Sequence, residues 1–148
     1  MRWLLASLTV IGAFSFCLSQ TGDEGKPLPI NLIFSVEGLH CENCVANLTK
    51  ALKGINGVKE AEVSLKEKRA FVTLDESQIP LSKLVAKTHE QVSYRLALLL
   101  PIENWSKVDR DKVAKVVKGL KGVSEVKADK AGLLVSFNPK EDVRYSDL

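Results

Sequence analysis

Cys41 and Cys44 are separated by two residues, and His40 directly precedes the first of them in the stretch GLHCENC. This spacing lets both sulfurs point at one spot. Thiolates are soft ligands that select ions such as Cu(I), and Hg(II) fits the same chemistry. A closed zinc site needs four ligands, so Zn(II) here would require two more from a partner chain. We therefore predict a soft-metal site at Cys41 and Cys44, with His40 as a candidate third ligand.

The same cysteine pair has two other readings. C-x-x-C at the start of a helix is also a redox arrangement, which makes a thiol-disulfide oxidoreductase an alternative. A disulfide that only staples an interaction module is the other, and an oxidising compartment would favour it. The strand order predicted below differs from that of thioredoxin-like folds, which counts against the oxidoreductase.

A strand and a helix flank the cysteine loop. The apolar run NLIFSVEG predicts a strand that ends at Gly38. Apolar residues at helical spacing (Val45, Leu48, Ala51 and Leu52) predict a helix from about Cys44, ended by Gly54. The free N–H groups at the start of such a helix favour thiolate over thiol.

The following elements complete a known arrangement. VKEAEVSL and RAFVTL read as a hairpin, LSKLVAKTHEQ as a helix after Pro80, and SYRLALLLPI as an apolar strand. The order β-α-β-β-α-β predicts an α+β fold for residues 30–101, a ferredoxin-like sandwich with an antiparallel sheet and two helices on one face.

The chain then repeats part of this pattern. KALKGINGVKEAEV, from Lys50, aligns with KVVKGLKGVSEVKA, from Lys115. We therefore expect residues 102–148 to form an incomplete, Cys-less second copy. At the same offset Cys41 corresponds to Ser106 and Cys44 to Asp109, and Asp109 is a suitable helix N-cap. A half-domain leaves a sheet edge uncovered, so it should pack on the first copy or on a partner chain, and self-association is an open expectation.

GLHCENC followed by VANLTKALKGINGVKEAEVSL resembles the heavy-metal-associated domain family. This family includes small copper chaperones, the N-terminal modules of metal-pumping P-type ATPases and periplasmic mercury-binding proteins. Its signature is similar to Gly-Met-x-Cys-x-x-Cys, and Leu39 stands where the family usually has Met, a volume-conserving exchange. Tyr94 lies near a position where family members often have an aromatic residue or Lys close to the metal.

The resemblance implies a metal-binding module rather than an enzyme, with Cys41 and Cys44 as ligands. Its cargo would be Cu(I), or Hg(II), held for buffering or for delivery to a metal-transporting ATPase or another acceptor protein. Lys50 and Lys53, on the predicted helix, could steer an acidic partner. No constellation of nucleophile, base and acid is recognisable in the sequence.

The N-terminal sequence predicts where the protein is located, and the net charge bears on its partners. MRWLLASLTVIGAFSFCLSQ has a basic start, a short apolar run and a small-residue exit, so residues 1–19 read as a signal peptide. Residues 20–29 read as a flexible lead-in. We expect an exported protein, periplasmic or secreted, with an uncleaved membrane anchor as the alternative. The net charge of +3, with lysines spread along the chain, gives no reason to expect nucleic-acid binding.

Overall fold

The computed structural model describes residues 28–148. The predicted signal peptide, residues 1–19, and most of the predicted lead-in, residues 20–29, lie outside this range. The described residues form six strands and three α-helices, with short 3-10 helices at Trp105–Lys107 and Tyr145–Asp147. In chain order these elements are β1 (Ile30–Glu37), α1 (Glu42–Lys53), β2 (Val58–Ser64), β3 (Arg69–Leu74), α2 (Leu81–Gln91), β4 (Arg95–Pro101), α3 (Arg110–Lys118), β5 (Val123–Ala128) and β6 (Gly132–Phe137). Over these residues, no helix combines the length and apolar character that crossing a membrane requires.

The first six of these elements build the predicted ferredoxin-like α+β unit. Strand β1 lies between β3 and β4 and pairs with both in antiparallel fashion. Its alternate residues Leu32, Phe34 and Val36 are buried because a strand sends every second side chain to the same face. They share one core with Leu48 of α1 and Leu84 of α2, so β1 is fixed between the rest of the sheet and the helices.

Strand β4 has a partner on each edge. Residues 95–99 pair with β1 on one edge, and residues 98–101 pair with β6 on the other. The sheet order is β2-β3-β1-β4-β6-β5. Read from the other edge of the sheet, the first four strands are β5-β6-β4-β1. They pair antiparallel in the same way as β2-β3-β1-β4, and β4 takes the place that β1 has in the first unit. The C-terminal strands therefore cover the edge of β4 that a single unit would leave open.

The two outer hairpins share local detail. The register between β2 and β3 shifts between Val58 and Glu60, and that between β5 and β6 shifts between Val123 and Glu125. The carbonyl of Gly57 accepts the N–H of Asp75 at 2.8 Å, and the carbonyl of Gly122 accepts the N–H of Asn138, also at 2.8 Å. The sequence pattern that relates the two segments thus coincides with the same backbone geometry at these points.

Helix α3 does not begin at the position that the sequence alignment with α1 gives. Asp109 is the N-cap, as predicted, and its Oδ1 accepts the N–H of Lys112 at 3.3 Å. Cys41 is the N-cap of α1, so the structural counterpart of Cys41 is Asp109, whereas the alignment offset gave Ser106. The reason is that Trp105–Lys107 forms a separate 3-10 helix, and α3 therefore starts one turn later than α1 relative to its C-terminal glycine.

Contacts away from the β4–β6 pairing also hold the C-terminal residues to the first unit. Within the C-terminal residues, the indole N–H of Trp105 donates to the carbonyl of Asp129 at 2.7 Å, and Trp105 is buried. The Asp129 carboxylate lies 3.4 Å from the guanidinium of Arg69 on β3. Val143 is buried as well, and its N–H donates to Ser82 Oγ at the start of α2 at 3.0 Å.

Candidate metal centre

The predicted metal loop connects the end of β1 to the first turn of α1. Gly38 opens the loop with a φ of +92°, a backbone conformation that glycine adopts without strain. Cys41 then takes an extended conformation as the N-cap, and its Sγ accepts the backbone N–H of Cys44 at 3.1 Å. Because this hydrogen bond closes the first helical turn, the side chains of both cysteines are held on the same side of the loop.

The two sulfurs meet at one point, where they form a disulfide. The S–S distance is 2.10 Å and the two Cα atoms are 5.1 Å apart. A thiolate site and a disulfide require the same proximity of the two sulfurs. This geometry is therefore the oxidised form of the predicted pair, and reduction would yield two thiols side by side.

The two cysteines differ in exposure. Cys44 is buried, with 6% of its surface exposed, whereas Cys41 is only partly buried. Leu39, two residues before Cys41, is 1% exposed and belongs to the core. Leu39 thus anchors the loop in the core, and Cys41 is the more accessible of the two cysteines.

The position at a helix start gives the pair its electrostatic setting. The first N–H groups of α1 have no partner within the helix, and the helix dipole places partial positive charge there. Both effects favour thiolates once the disulfide is reduced. Glu42, in the first turn of α1, is exposed and adds a negative charge at the rim of the site.

His40 is not brought together with the sulfurs. It is exposed, and its Nδ1 lies 2.5 Å from the carbonyl oxygen of Gly38. No group of three or more His, Cys, Asp or Glu side chains within residues 28–148 is placed to hold one metal ion. The role of His40 as a third ligand stays a prediction, and it would require the imidazole to turn away from Gly38.

Tyr94 lies beside the loop. A Cβ placed on Gly38 would be 3.4 Å from Cδ1 of Tyr94, so the ring packs against the backbone where the loop leaves β1. Together with Asn47 and Lys50 of α1, Tyr94 lines an open groove between α1 and the residues that follow α2. The structure thus places Tyr94 against Gly38, where the predicted metal loop begins.

The start of α3 has no comparable site. Asp109 occupies the position of Cys41, and Lys112, three residues later, occupies that of Cys44. The Lys112 ammonium lies 3.3 Å from the Asp109 carboxylate. An ion pair thus stands where α1 has its two sulfurs.

Comparison with known proteins places these observations in a family. The family model for the heavy-metal-associated domain matches residues 33–94. A copper chaperone, CopZ of Enterococcus hirae, is 37% identical over 57 residues, which cover 38% of this chain and 83% of that protein.

Two longer relatives match in part. Copper-transporting ATPase 2 of Rhizobium meliloti is 31% identical over 105 residues, which are 70% of this chain and 13% of the ATPase. Mercuric reductase of Acidithiobacillus ferrooxidans is 39% identical over 51 residues, which are 34% of this chain and 9% of the enzyme. The chain thus corresponds to a small part of these two proteins and to most of the chaperone.

Proposed function

The chain belongs to the heavy-metal-associated domain family, and we propose that it binds one soft metal ion between the sulfurs of Cys41 and Cys44. Cu(I) is the favoured ion. The module would hold the ion for delivery or buffering outside the cytoplasm, and it would act by binding rather than by catalysis.

The observation that carries this proposal is the placement of the two sulfurs. They meet at the N-terminus of α1, and one of them, Cys41, is partly exposed. An ion held there by two thiolates would be shielded on the core side and reachable from solvent. This arrangement suits a cargo that must be both held and released.

Metal binding at this site depends on reduction. The Cys41–Cys44 disulfide must take up two electrons and two protons to become two thiols. Loss of the two thiol protons then gives the thiolates that bind the ion. In an oxidising compartment a reductant of the thiol class would have to supply the electrons, so the loaded fraction would follow the local redox state.

The choice of ion follows from the donor set. Two thiolates with no third ligand suit the low coordination numbers of Cu(I) and Hg(II). Zn(II) favours four ligands, and residues 28–148 do not place further ligands beside the pair. Among the relatives, a copper chaperone and a copper-transporting ATPase are named for copper and a mercuric reductase for mercury, which supports copper and mercury as the candidate metals.

The acceptor would be a metal-transporting ATPase or another protein that offers its own thiolates. Each incoming thiolate would displace one cysteine of this chain, so that the ion remains coordinated throughout. Lys50 and Lys53 are both exposed on α1, the helix that starts at the site, and they would favour an acidic acceptor surface.

A competition titration tests the proposal. The chain is reduced, freed of reductant under inert gas and titrated with Cu(I), Hg(II) and Zn(II) against chelators of known affinity. We expect one tightly bound Cu(I) or Hg(II) per chain and much weaker Zn(II). The variant Cys41→Ser/Cys44→Ser should lose this binding, and His40→Ala, which alters the same loop, should retain it.

A second function is favoured by the disulfide itself. The Cys41–Cys44 bond closes the loop in the structure, as a purely structural staple would. In that case the chain would be an interaction module with no metal cargo. A disulfide that withstands reduction, or a fully reduced chain that binds no soft ion, would support this second function and reject the first.

A further inference from the structure

The two halves of the Cys41–Cys44 disulfide are not equally accessible from solvent. Cys41 is partly exposed, whereas Cys44 is 6% exposed and is a member of the hydrophobic core. The neighbours His40, Glu42 and Asn43 are all exposed. Solvent therefore reaches the disulfide at Cys41, and the interior of the protein lies against Cys44.

Reduction of a disulfide by a small thiol depends on how the thiol can approach. Its thiolate attacks one sulfur, and the other sulfur leaves with the electron pair of the broken bond. The attacking sulfur must come along the line of the S–S bond, from the side opposite to the leaving sulfur. Attack on Cys44 would therefore have to come through the core, whereas attack on Cys41 needs no such path.

The helix cap acts in the opposite direction. The Sγ of Cys41 accepts the N–H of Cys44 at 3.1 Å, and this bond would stabilise Cys41 as a leaving thiolate. A hydrogen bond to a charged group changes an equilibrium constant by roughly ten- to a hundredfold, and a rate reflects only part of this. Burial is the stronger effect, because Cys44 admits no thiol until its core packing is broken.

We propose that Cys41 is a site of S-thiolation, at which a small thiol of the class of glutathione or free cysteine enters the disulfide. The incoming thiolate forms a bond to the Sγ of Cys41, and the Cys41–Cys44 bond breaks. Its electron pair remains on the Sγ of Cys44, which becomes the thiolate. A second small thiolate then attacks the sulfur of the attached thiol, releases a disulfide of the two small thiols and leaves Cys41 as a thiolate.

S-thiolation would also control the proposed metal site. In the mixed disulfide, Cys44 is free but Cys41 is blocked, so the chain lacks one of its two sulfur ligands. The first exchange would thus leave the site closed to metal, and the second would open it. This consequence rests on the proposed metal function, whereas the choice of Cys41 over Cys44 does not.

Local opening of the loop is the competing explanation of how a thiol gains access. If the first turn of α1 opened faster than thiols react, both sulfurs would become accessible and burial would give no selectivity. The two cases predict different products. Attack on the folded loop places the small thiol on Cys41, whereas attack on an opened loop distributes it over Cys41 and Cys44.

The test uses the full chain with Cys17→Ser, so that the disulfide contains the only cysteines. The oxidised chain is incubated with glutathione, and N-ethylmaleimide stops the exchange at early times. A glutamate-specific protease then cleaves after Glu42 in acid, which puts Cys41 and Cys44 on separate peptides for mass spectrometry. We expect about tenfold or more glutathione on Cys41 relative to Cys44, and amounts within about twofold in urea.

Two variants measure the same preference without a mixed disulfide of the pair. Cys17→Ser/Cys44→Ser leaves only the thiol of Cys41, and Cys17→Ser/Cys41→Ser leaves only that of Cys44. Each is reacted with a coloured aromatic disulfide, and the rate is followed by absorbance. In the folded chain the Cys41 thiol should react about tenfold faster or more, and in urea the two rates should lie within about twofold of each other.

Several results would overturn the proposal. These are glutathione mainly on Cys44, equal amounts on both cysteines of the folded chain, equal rates for the two single-thiol variants, or a disulfide that small thiols do not reduce. A reduced chain that binds no Cu(I) but keeps the preference for Cys41 would reject the metal function alone. Cu(I) binding without that preference would reject the S-thiolation site alone.

Discussion

The backbone N–H of Cys44 donates to the Sγ of Cys41 at 3.1 Å, so the predicted metal ligand Cys41 is also the N-cap of α1. The Sγ of Cys41 is both the predicted metal ligand and the atom that caps the helix, because the helix begins at the cysteine pair. The site and the helix that supports it are therefore coupled, and substitutions at Cys41 should separate into two effects.

Substitution of Cys41 should separate binding from capping. Serine can accept the same N–H, so in reducing buffer Cys41→Ser should be about as stable as wild type yet should not bind Cu(I). Cys41→Ala loses the cap as well and should be less stable by about 0.5–2 kcal/mol. Urea unfolding and a Cu(I) titration on both variants check this; equal stabilities of the two would show that the cap contributes nothing.

Leu39 should act as the buried anchor of the loop. It is 1% exposed, so Leu39→Ala would leave a cavity and cost about 2–5 kcal/mol. Leu39→Met conserves volume and should cost less than about 1.5 kcal/mol. Denaturant unfolding measures both, and comparable losses for Ala and Met would mean that shape rather than burial is critical at this site.

Two glycines should be equally intolerant of a side chain. Gly57 has a φ of +98°, and a Cβ there would lie 2.7 Å from Ile79 Cγ2. Gly122 has a φ of +83°, and its Cβ would lie 2.2 Å from Val143 Cγ2. Gly57→Ala and Gly122→Ala should each destabilise the fold by about 1–3 kcal/mol. Gly54→Ala, with an ordinary helical φ and contacts no closer than 3.4 Å, is the matched control.

Asp75 should make stability fall in acid. Its carboxylate is buried and accepts the Ser77 hydroxyl at 2.5 Å; this bond, then the Ser77 N–H, Gln78 and Lys59, holds its pKa below the ordinary value against the opposing effect of burial. A lowered folded-state pKa means that the ionised group stabilises the fold above the ordinary pKa of about 3.9. This contribution is lost as the pH falls through the folded-state value.

Unfolding of wild type and Asp75→Asn from pH 7 to pH 2 measures the effect. We expect the variant to be less stable near neutrality and the two curves to converge at low pH. A difference that stays constant over the whole range would show that packing, and not ionisation, is responsible.

The first unit could be predicted closely because its signals are local. The segment LSKLVAKTHEQ follows Pro80, which has no backbone N–H and is therefore tolerated at the start of a helix. Helix α2 spans Leu81–Gln91, as predicted. Gly38 and the apolar spacing that starts at Val45 predict that the cysteine loop lies between a strand and a helix. These features act within a few residues of the positions they determine.

The pairing of β4 and the start of α3 depend on distant contacts. The apolar run in β4 does not reveal its neighbours in the sheet; the register shows that residues 95–99 pair with β1 and residues 98–101 with β6, so that Leu98 and Leu99 lie between both strands. The alignment also could not show that Trp105 turns inward to Asp129 and delays α3 by one turn. His40, a candidate ligand from its type, is exposed, and its Nδ1 lies 2.5 Å from the Gly38 carbonyl oxygen, a local contact that the sequence pattern does not reveal.

X-ray absorption at the copper edge, on the reduced chain loaded with one equivalent of Cu(I), tests the central claim most directly. We predict a first shell of two sulfur atoms, unchanged in His40→Ala and absent in Cys41→Ser/Cys44→Ser. A shell of nitrogen or oxygen without sulfur, or a sulfur shell that survives loss of both cysteines, would contradict the assignment of Cys41 and Cys44 as the metal site.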